Sequence, residues 1–210
     1  MQTPTLSVHL LQLGKRFKHR WLFSQLNLSV HPPGLAILGP NGSGKSTLLQ
    51  IISGFVVPSE GTVEWRISDK VIPASELHKF LSLSTPYLDI IEEFTFLELI
   101  RFQQTFKPLL PPLNPSDVLR LSGLSDFSET PLSDFSSGMK QRAKLSLALL
   151  SDTPAVLLDE PCANLDASAV SWYNDIINEF TKNRLLIIAS NHQQNEYFSC
   201  SETFDLTPSE

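Results

Sequence analysis

Cysteine is almost absent: the 210 residues hold only Cys162 and Cys200, and neither has another Cys or a His at metal-ligand spacing. This argues against a disulfide framework and a zinc site, and two free thiols fit a reducing compartment. Long apolar runs are missing too. No stretch approaches the roughly 18 residues that a membrane-spanning helix needs. Residues 1–10 show no basic segment followed by an apolar one, so no secretory or transit leader is read and the chain is expected to stay in the cytosol. Nor is there a surplus of positive charge: 16 Lys and Arg stand against 22 Asp and Glu, a formal net charge of −6. Nucleic-acid binding draws on clustered Lys and Arg. The short run Lys15-Arg16-Phe17-Lys18-His19-Arg20 is read as a solvated loop, and no nucleic-acid partner is expected. Internal repeats are absent as well.

What is present suits a globular chain: 41% hydrophobic and 18% charged residues over a length that fits one domain, or one domain with a small inserted lobe. Leu6-Ser7-Val8-His9-Leu10 and Leu26-Asn27-Leu28-Ser29-Val30 alternate with period two, as half-buried strands do. After the turn His31-Pro32-Pro33-Gly34 comes the apolar run Leu35-Ala36-Ile37-Leu38, a glycine-rich loop, and a helical pattern over residues 46–53 that Gly54 stops. Residues 62–65 read as a strand. Residues 95–106 and 116–124 read as helices on either side of a proline-rich stretch, 108–115. Two further apolar runs, Ala155-Val156-Leu157-Leu158 and Leu185-Leu186-Ile187-Ile188-Ala189, each follow a helical stretch. Apolar strands alternating with helices mark a parallel sheet covered on both faces.

Gly39-Pro40-Asn41-Gly42-Ser43-Gly44-Lys45-Ser46 fits the phosphate-loop pattern at every fixed position. The glycines let the backbone curl so that its N–H groups face anionic oxygens, and the next helix adds its positive dipole end. Lys45 is expected to reach the β- and γ-phosphates, and the Ser46 hydroxyl to ligate Mg²⁺. The strand at 155–158 runs into two carboxylates at the edge where such sheets bind ligands. Asp159 is the candidate Mg²⁺ partner, and Glu160 the candidate base for water attacking the γ-phosphate. Between these motifs lies Phe135-Ser136-Ser137-Gly138-Met139-Lys140-Gln141-Arg142, where Ser136 is a good N-cap and Gly138 leaves backbone N–H groups bare. This is a second anion site. One nucleotide per chain does not need two, so the economical arrangement is a dimer in which each chain's second site closes on its neighbour's nucleotide.

The order of these pieces resembles the nucleotide-binding domains of ABC transporters over nearly the whole chain. Residues 39–47, including Thr47, look like Walker A, 135–139 like the signature loop, 158–161 like the end of Walker B, and Asn164-Leu165-Asp166 like the D-loop. The resemblance implies that ATP and Mg²⁺ are bound, with Phe17 stacking on adenine (Trp21 is the rival) and with Ser136, Ser137, Gly138 and Asp166 contributing to the composite site. It places a switch histidine at His192, with Glu196 four residues later; alignment from the preceding strand would put Asn191 there. Three features depart from the family. Ser137 and Met139 replace a glycine and a glutamine of the signature, Cys162 replaces a small residue, and Pro86 stands where a glutamine is usual.

The expected fold is α/β: a P-loop NTPase core with a mostly parallel sheet, an N-terminal antiparallel β region and an inserted helical lobe. Core is expected over about 1–85 and 151–210, lobe over about 86–150. The resemblance implies an ATPase working as a homodimer, or paired with a related ATPase subunit, on a separate transmembrane permease at the inner face of the cell membrane. Residues 84–93, with Tyr87, Leu88, Ile90 and Ile91, are expected to form the docking surface for that permease. Two alternatives are a soluble ABC-type ATPase acting in assembly or regulation, and a P-loop kinase, which has no use for a signature loop.

Overall fold

A computed structural model describes residues 6–207. The chain begins with a hairpin of β1 (Leu6–Phe17) and β2 (Arg20–Val30), and the basic run forms its tip. Next come β3 (Gly34–Leu38), buried throughout, and α1 (Lys45–Ile52), which ends ahead of Gly54 at φ 81°. Two antiparallel strands follow, β4 (Glu60–Ile67) and β5 (Lys70–Val71), then β6 (Leu81–Ser84). The middle of the chain supplies α2 (Phe96–Gln104), α3 (Pro115–Ser122) and α4 (Ser137–Leu149). The remainder is β7 (Ala155–Asp159), α5 (Ala167–Phe180), β8 (Leu185–Ser190), α6 (Gln194–Tyr197) and β9 (Glu202–Asp205).

These strands form two sheets. One is antiparallel, in the order β2-β1-β4-β5; the other is parallel, in the order β6-β7-β8-β3-β9. Because successive side chains of a strand point to opposite faces, β7 and β8 feed two cores. Ala155, Leu157, Leu185 and Ile187 pack with α1 and the antiparallel sheet. Val156, Leu158, Leu186 and Ile188 pack with the helices on the other side. Trp65 ties the first core together by donating its indole N–H to Ile52 O at 2.8 Å.

The helices of the middle segment start where local chemistry says they should. Thr95 and Asn114 each build a capping box, with Glu98 and Asp117 as reciprocal partners, and Pro115 opens α3. Each cap is worth about 1 kcal/mol. Helices α2 and α3 pack on α4, whose body also rests against β6 and β7. At the edge of the sheet away from the strand C-termini, buried Arg184 fastens the end of α4. Its Nε donates to Thr153 O at 2.7 Å, and its guanidinium also reaches Leu149 O.

Candidate functional site

The loop joining β3 to α1 curls as its glycines permit. Gly39 and Gly44 have φ of 149° and 104°, and a Cβ on either would lie within 2.8 Å of Ser43 Oγ or a Leu22 side-chain carbon respectively. Gly44 caps α1 without a side-chain acceptor, and no acidic residue occupies the first turn, so the helix presents open N–H groups. Lys45 is 4% exposed, and its ammonium donates to Gly39 O at 2.8 Å and Pro40 O at 3.1 Å. Above the loop lies a cavity of about 640 Å³, faced by Asn41, Gly42, Gly44, Lys45, Ser46 and Thr47. Gly39, Pro40 and Ser43 do not line it; Gly39 and Ser43 are buried in the loop, whereas Pro40 is exposed.

Asp159 closes β7 at 1% exposure, and neither carboxylate oxygen has a partner of hydrogen-bond geometry. Burial pushes its carboxyl up to about 6; the Glu160 charge adds to this, and the Ser46 hydroxyl and Lys45 oppose it. A buried, partnerless carboxylate beside a hydroxyl fits Mg²⁺, which takes one or two protein oxygens and completes its shell from phosphate and water. Among the described residues no group of three or more His, Cys, Asp or Glu forms a dedicated metal cage. Glu160 faces the cavity, held in left-handed backbone at φ 44°, with its N–H donating to Ala189 O at 2.9 Å.

Two more non-glycine residues of the strand-end loops share that backbone region, Asn164 at φ 63° and His192 at φ 57°. Such conformations cost about 1–3 kcal/mol each and persist where surrounding structure over-determines them. His192 is exposed, with Nε2 3.6 Å from Asp205 Oδ1, and neither it nor Asn191 lines the cavity. Asp166 is exposed and caps α5 by accepting from Ala169 N at 2.8 Å, which holds its carboxyl below the usual range. Ser136 caps α4, accepting from Met139 N at 3.2 Å. Ser136, Ser137 and Gly138 lie outside the cavity, and a Cβ on Gly138 would stand 3.1 Å from Asn164 O.

Phe17, at the end of β1 and 55% exposed, lines the cavity, whereas Trp21 does not and is covered by Arg16, 5.3 Å above its ring. The segment 84–93 divides between two places. Tyr87 turns into the nucleotide cavity, away from the surface it was expected to share. Leu88, Ile90 and Ile91 line a second, mostly apolar groove of about 560 Å³ beside α2 and α4, with Phe55, Phe102 and Phe106 around it. Just ahead of this division the Pro86 carbonyl accepts from Lys144, which itself lines the groove, at 3.4 Å.

Sequence reasoning gave no role to Gln50, which lines the cavity, or to Gln141, and named Glu196 only by its spacing from His192; the last two are buried side chains around the strand ends. Gln141 donates to Pro161 O at 2.9 Å, and Glu196 accepts from Cys162 N at 3.1 Å. Burial raises the Glu196 carboxyl; bonds from Ser190 and Cys162 oppose that, and the Glu160 and Asp159 charges reinforce it. Cys162 is itself buried, its thiol pushed up to about 12, so it serves packing and not nucleophilic chemistry.

The sequence profile described as ABC transporter matches residues 23–163. CcmA of Bartonella henselae, a cytochrome c biogenesis ATP-binding export protein, is 33% identical over 175 residues, 81% of each chain. SrtF of Streptococcus pyogenes, a lantibiotic transport ATP-binding protein, is 30% identical over 192 residues, 86% of this chain and 77% of its own. A dimeric ATP-binding cassette in a post-hydrolysis state, bound to ADP and Pi, has a TM-score of 0.81 at 22% identity, covering 95% of this chain and 94% of that one. An Atm1-family bacterial exporter with ATP bound gives 0.80 at 19% identity, covering all of this chain and 39% of that one. Both structural likenesses concern the fold.

Proposed function

Because the chain belongs to the ABC transporter family and is an ATP-binding, ATP-hydrolysing subunit, we propose that it is the motor of a transporter whose membrane-spanning part is a separate chain. No helix among the described residues is long and apolar enough to cross a membrane. The observation that carries the reading is the pair of neighbouring sites: a phosphate-binding cavity, and an apolar groove beside it built from the segment that leads into the lobe. That CcmA and SrtF bear export and transport names supports it.

Phosphate oxygens would take the places that Gly39 O and Pro40 O now fill at the Lys45 ammonium, joined by the open N–H groups of α1. Phe17 offers its exposed ring to the base. Asp159 and the Ser46 hydroxyl would hold Mg²⁺, which neutralises phosphate charge when bound. Glu160 orients the lytic water and accepts its proton as the water oxygen bonds to the γ-phosphorus and ADP departs. His192 sits on the loop after β8, from which it steadies the γ-phosphate once the loop turns inward. Since Ser136, Ser137 and Gly138 lie outside their own chain's cavity, they close with Asp166 over the nucleotide of a second subunit, an identical chain or a related ATPase. The lobe, residues 86–150, moves with them, and the assembly sits on the inner face of the cell membrane through its permease.

Two variants test the site. Lys45→Ala is expected to remove most ATP affinity, and Glu160→Gln to keep affinity, stop turnover and accumulate as an ATP-bound dimer on size exclusion. Wild-type turnover in Glu160→Gln would take that residue out of the base role. For the partner, the tagged chain expressed in its own cell is expected to co-purify from detergent-solubilised membranes with a multi-span protein. Recovery with no membrane protein would overturn the transport reading.

A further inference from the structure

One peptide unit is gripped at both edges by side chains from distant parts of the chain. The carbonyl of the Pro161–Cys162 peptide accepts from Gln141 Nε2 at 2.9 Å, and the N–H of the same peptide donates to Glu196 Oε1 at 3.1 Å. Gln141 stands on α4, three residues past Gly138, and is 7% exposed; Glu196 stands on α6, four residues past His192, and is fully buried. The second Glu196 oxygen accepts from the Ser190 hydroxyl at the end of β8. Ser190 Oγ in turn receives Gln193 N at 3.2 Å, and the Glu196 carbonyl receives the Tyr173 hydroxyl at 2.7 Å. A peptide is planar and stiff, so a pull on either edge moves the whole unit. Glu160 precedes it directly and Asn164 follows shortly after, both in left-handed backbone.

We propose that Gln141 and Glu196 are positioning residues for hydrolysis, acting through the 161–162 peptide to tie α4, Glu160 and the loop of His192 into one moving unit. Displacement of α4, whose first turn carries Ser137 and Gly138, then reaches the carboxylate beside the lytic water and the turn that carries His192 together. No other side chain from the lobe is hydrogen-bonded to the backbone between Glu160 and Asp166 among the described residues. The proposal rests on the reading of Glu160 as the base.

The test is a double-mutant cycle on steady-state ATP hydrolysis by the purified chain, with ATP affinity measured separately by a fluorescent analogue. Gln141→Met keeps volume and removes the donor; Glu196→Leu removes the acceptor; Glu196→Gln keeps one. Gln141→Met and Glu196→Leu are each expected to lower kcat roughly ten- to hundredfold, as misplacement of about 1 Å near the reacting atoms does, with KM and analogue affinity within about twofold. Glu196→Gln is expected to restore most of the loss. The double variant should be no slower than the slower single one, since either change frees the same peptide. Losses that multiply in the double variant, or KM rising in step with the fall in kcat, would mean independent structural roles and overturn the proposal. Gln141→Met decides alone if Glu196→Leu does not fold: wild-type kcat there overturns it. Glu160→Gln separates the two failures, because activity in that variant would sink the base reading, whereas inactivity beside a fully active Gln141→Met would sink only the relay.

Discussion

Asp159 shows how a single residue can be costly to the fold and useful to the site. Its ordinary pKa of 3.8 rises to about 6 in the folded chain, so between those values the folded chain holds a proton that the unfolded chain has released. Stability contributed by this group therefore falls as pH climbs from about 4 to about 6, then levels off, with a total cost near 3 kcal/mol. Asp159→Asn should lift that cost. In EDTA and without nucleotide at pH 7.5, its melting temperature is expected to lie a few degrees above wild type. The gap should close towards pH 4, while hydrolysis is lost; a lower melting temperature at pH 7.5 would contradict the account. Asp159 was legible in the sequence because an apolar run ends on it. The partners of Gln141 and Glu196 were not, because each is a backbone group, 20 and 34 residues away respectively, and no local pattern announces such a partner.

At the level of elements, the segment leading from β6 into α2 serves two sites that the sequence merged into one. Leu88 lines the apolar groove at 40% exposure, and Tyr87 lines the nucleotide cavity at 74%. Leu88→Asp is expected to weaken co-purification with the membrane subunit at least tenfold while isolated ATPase activity stays within about twofold, since a buried unpaired charge would have to be desolvated at the interface. Tyr87→Ala should do the reverse, raising KM for ATP and sparing association. Unchanged co-purification of Leu88→Asp would leave the groove without its assigned occupant. The strands with apolar runs and the capped helices were readable from period and end signals. By contrast β5, β6 and β9 carried no such run. Ser82, inside β6, is buried with its hydroxyl donating to Ala148 O at 2.6 Å and accepting from Thr153 Oγ1 at 3.0 Å, tertiary bonds that let a polar residue fit a core strand.

For the whole molecule, the separation of Ser136 from its own chain's cavity sets the expected behaviour of mixtures. Ser136→Arg should leave ATP binding by one chain intact and block hydrolysis by the pair, with a thermal melt to allow for the lost α4 cap, worth about 1 kcal/mol. Mixed with an equal amount of Lys45→Ala protein, it should regain roughly a quarter of wild-type activity, because half the randomly formed pairs carry one intact composite site. No recovery under conditions where pairs form would argue against sites shared between chains. The parallel sheet, finally, has a thermal consequence. Its β7 and β8 donate alternate side chains to the two cores, so neither core can lose its order while the sheet survives intact, and neither can outlast it. Heating should accordingly give one endotherm in scanning calorimetry, with van't Hoff and calorimetric enthalpies in agreement; two resolved peaks would mean that the lobe melts on its own.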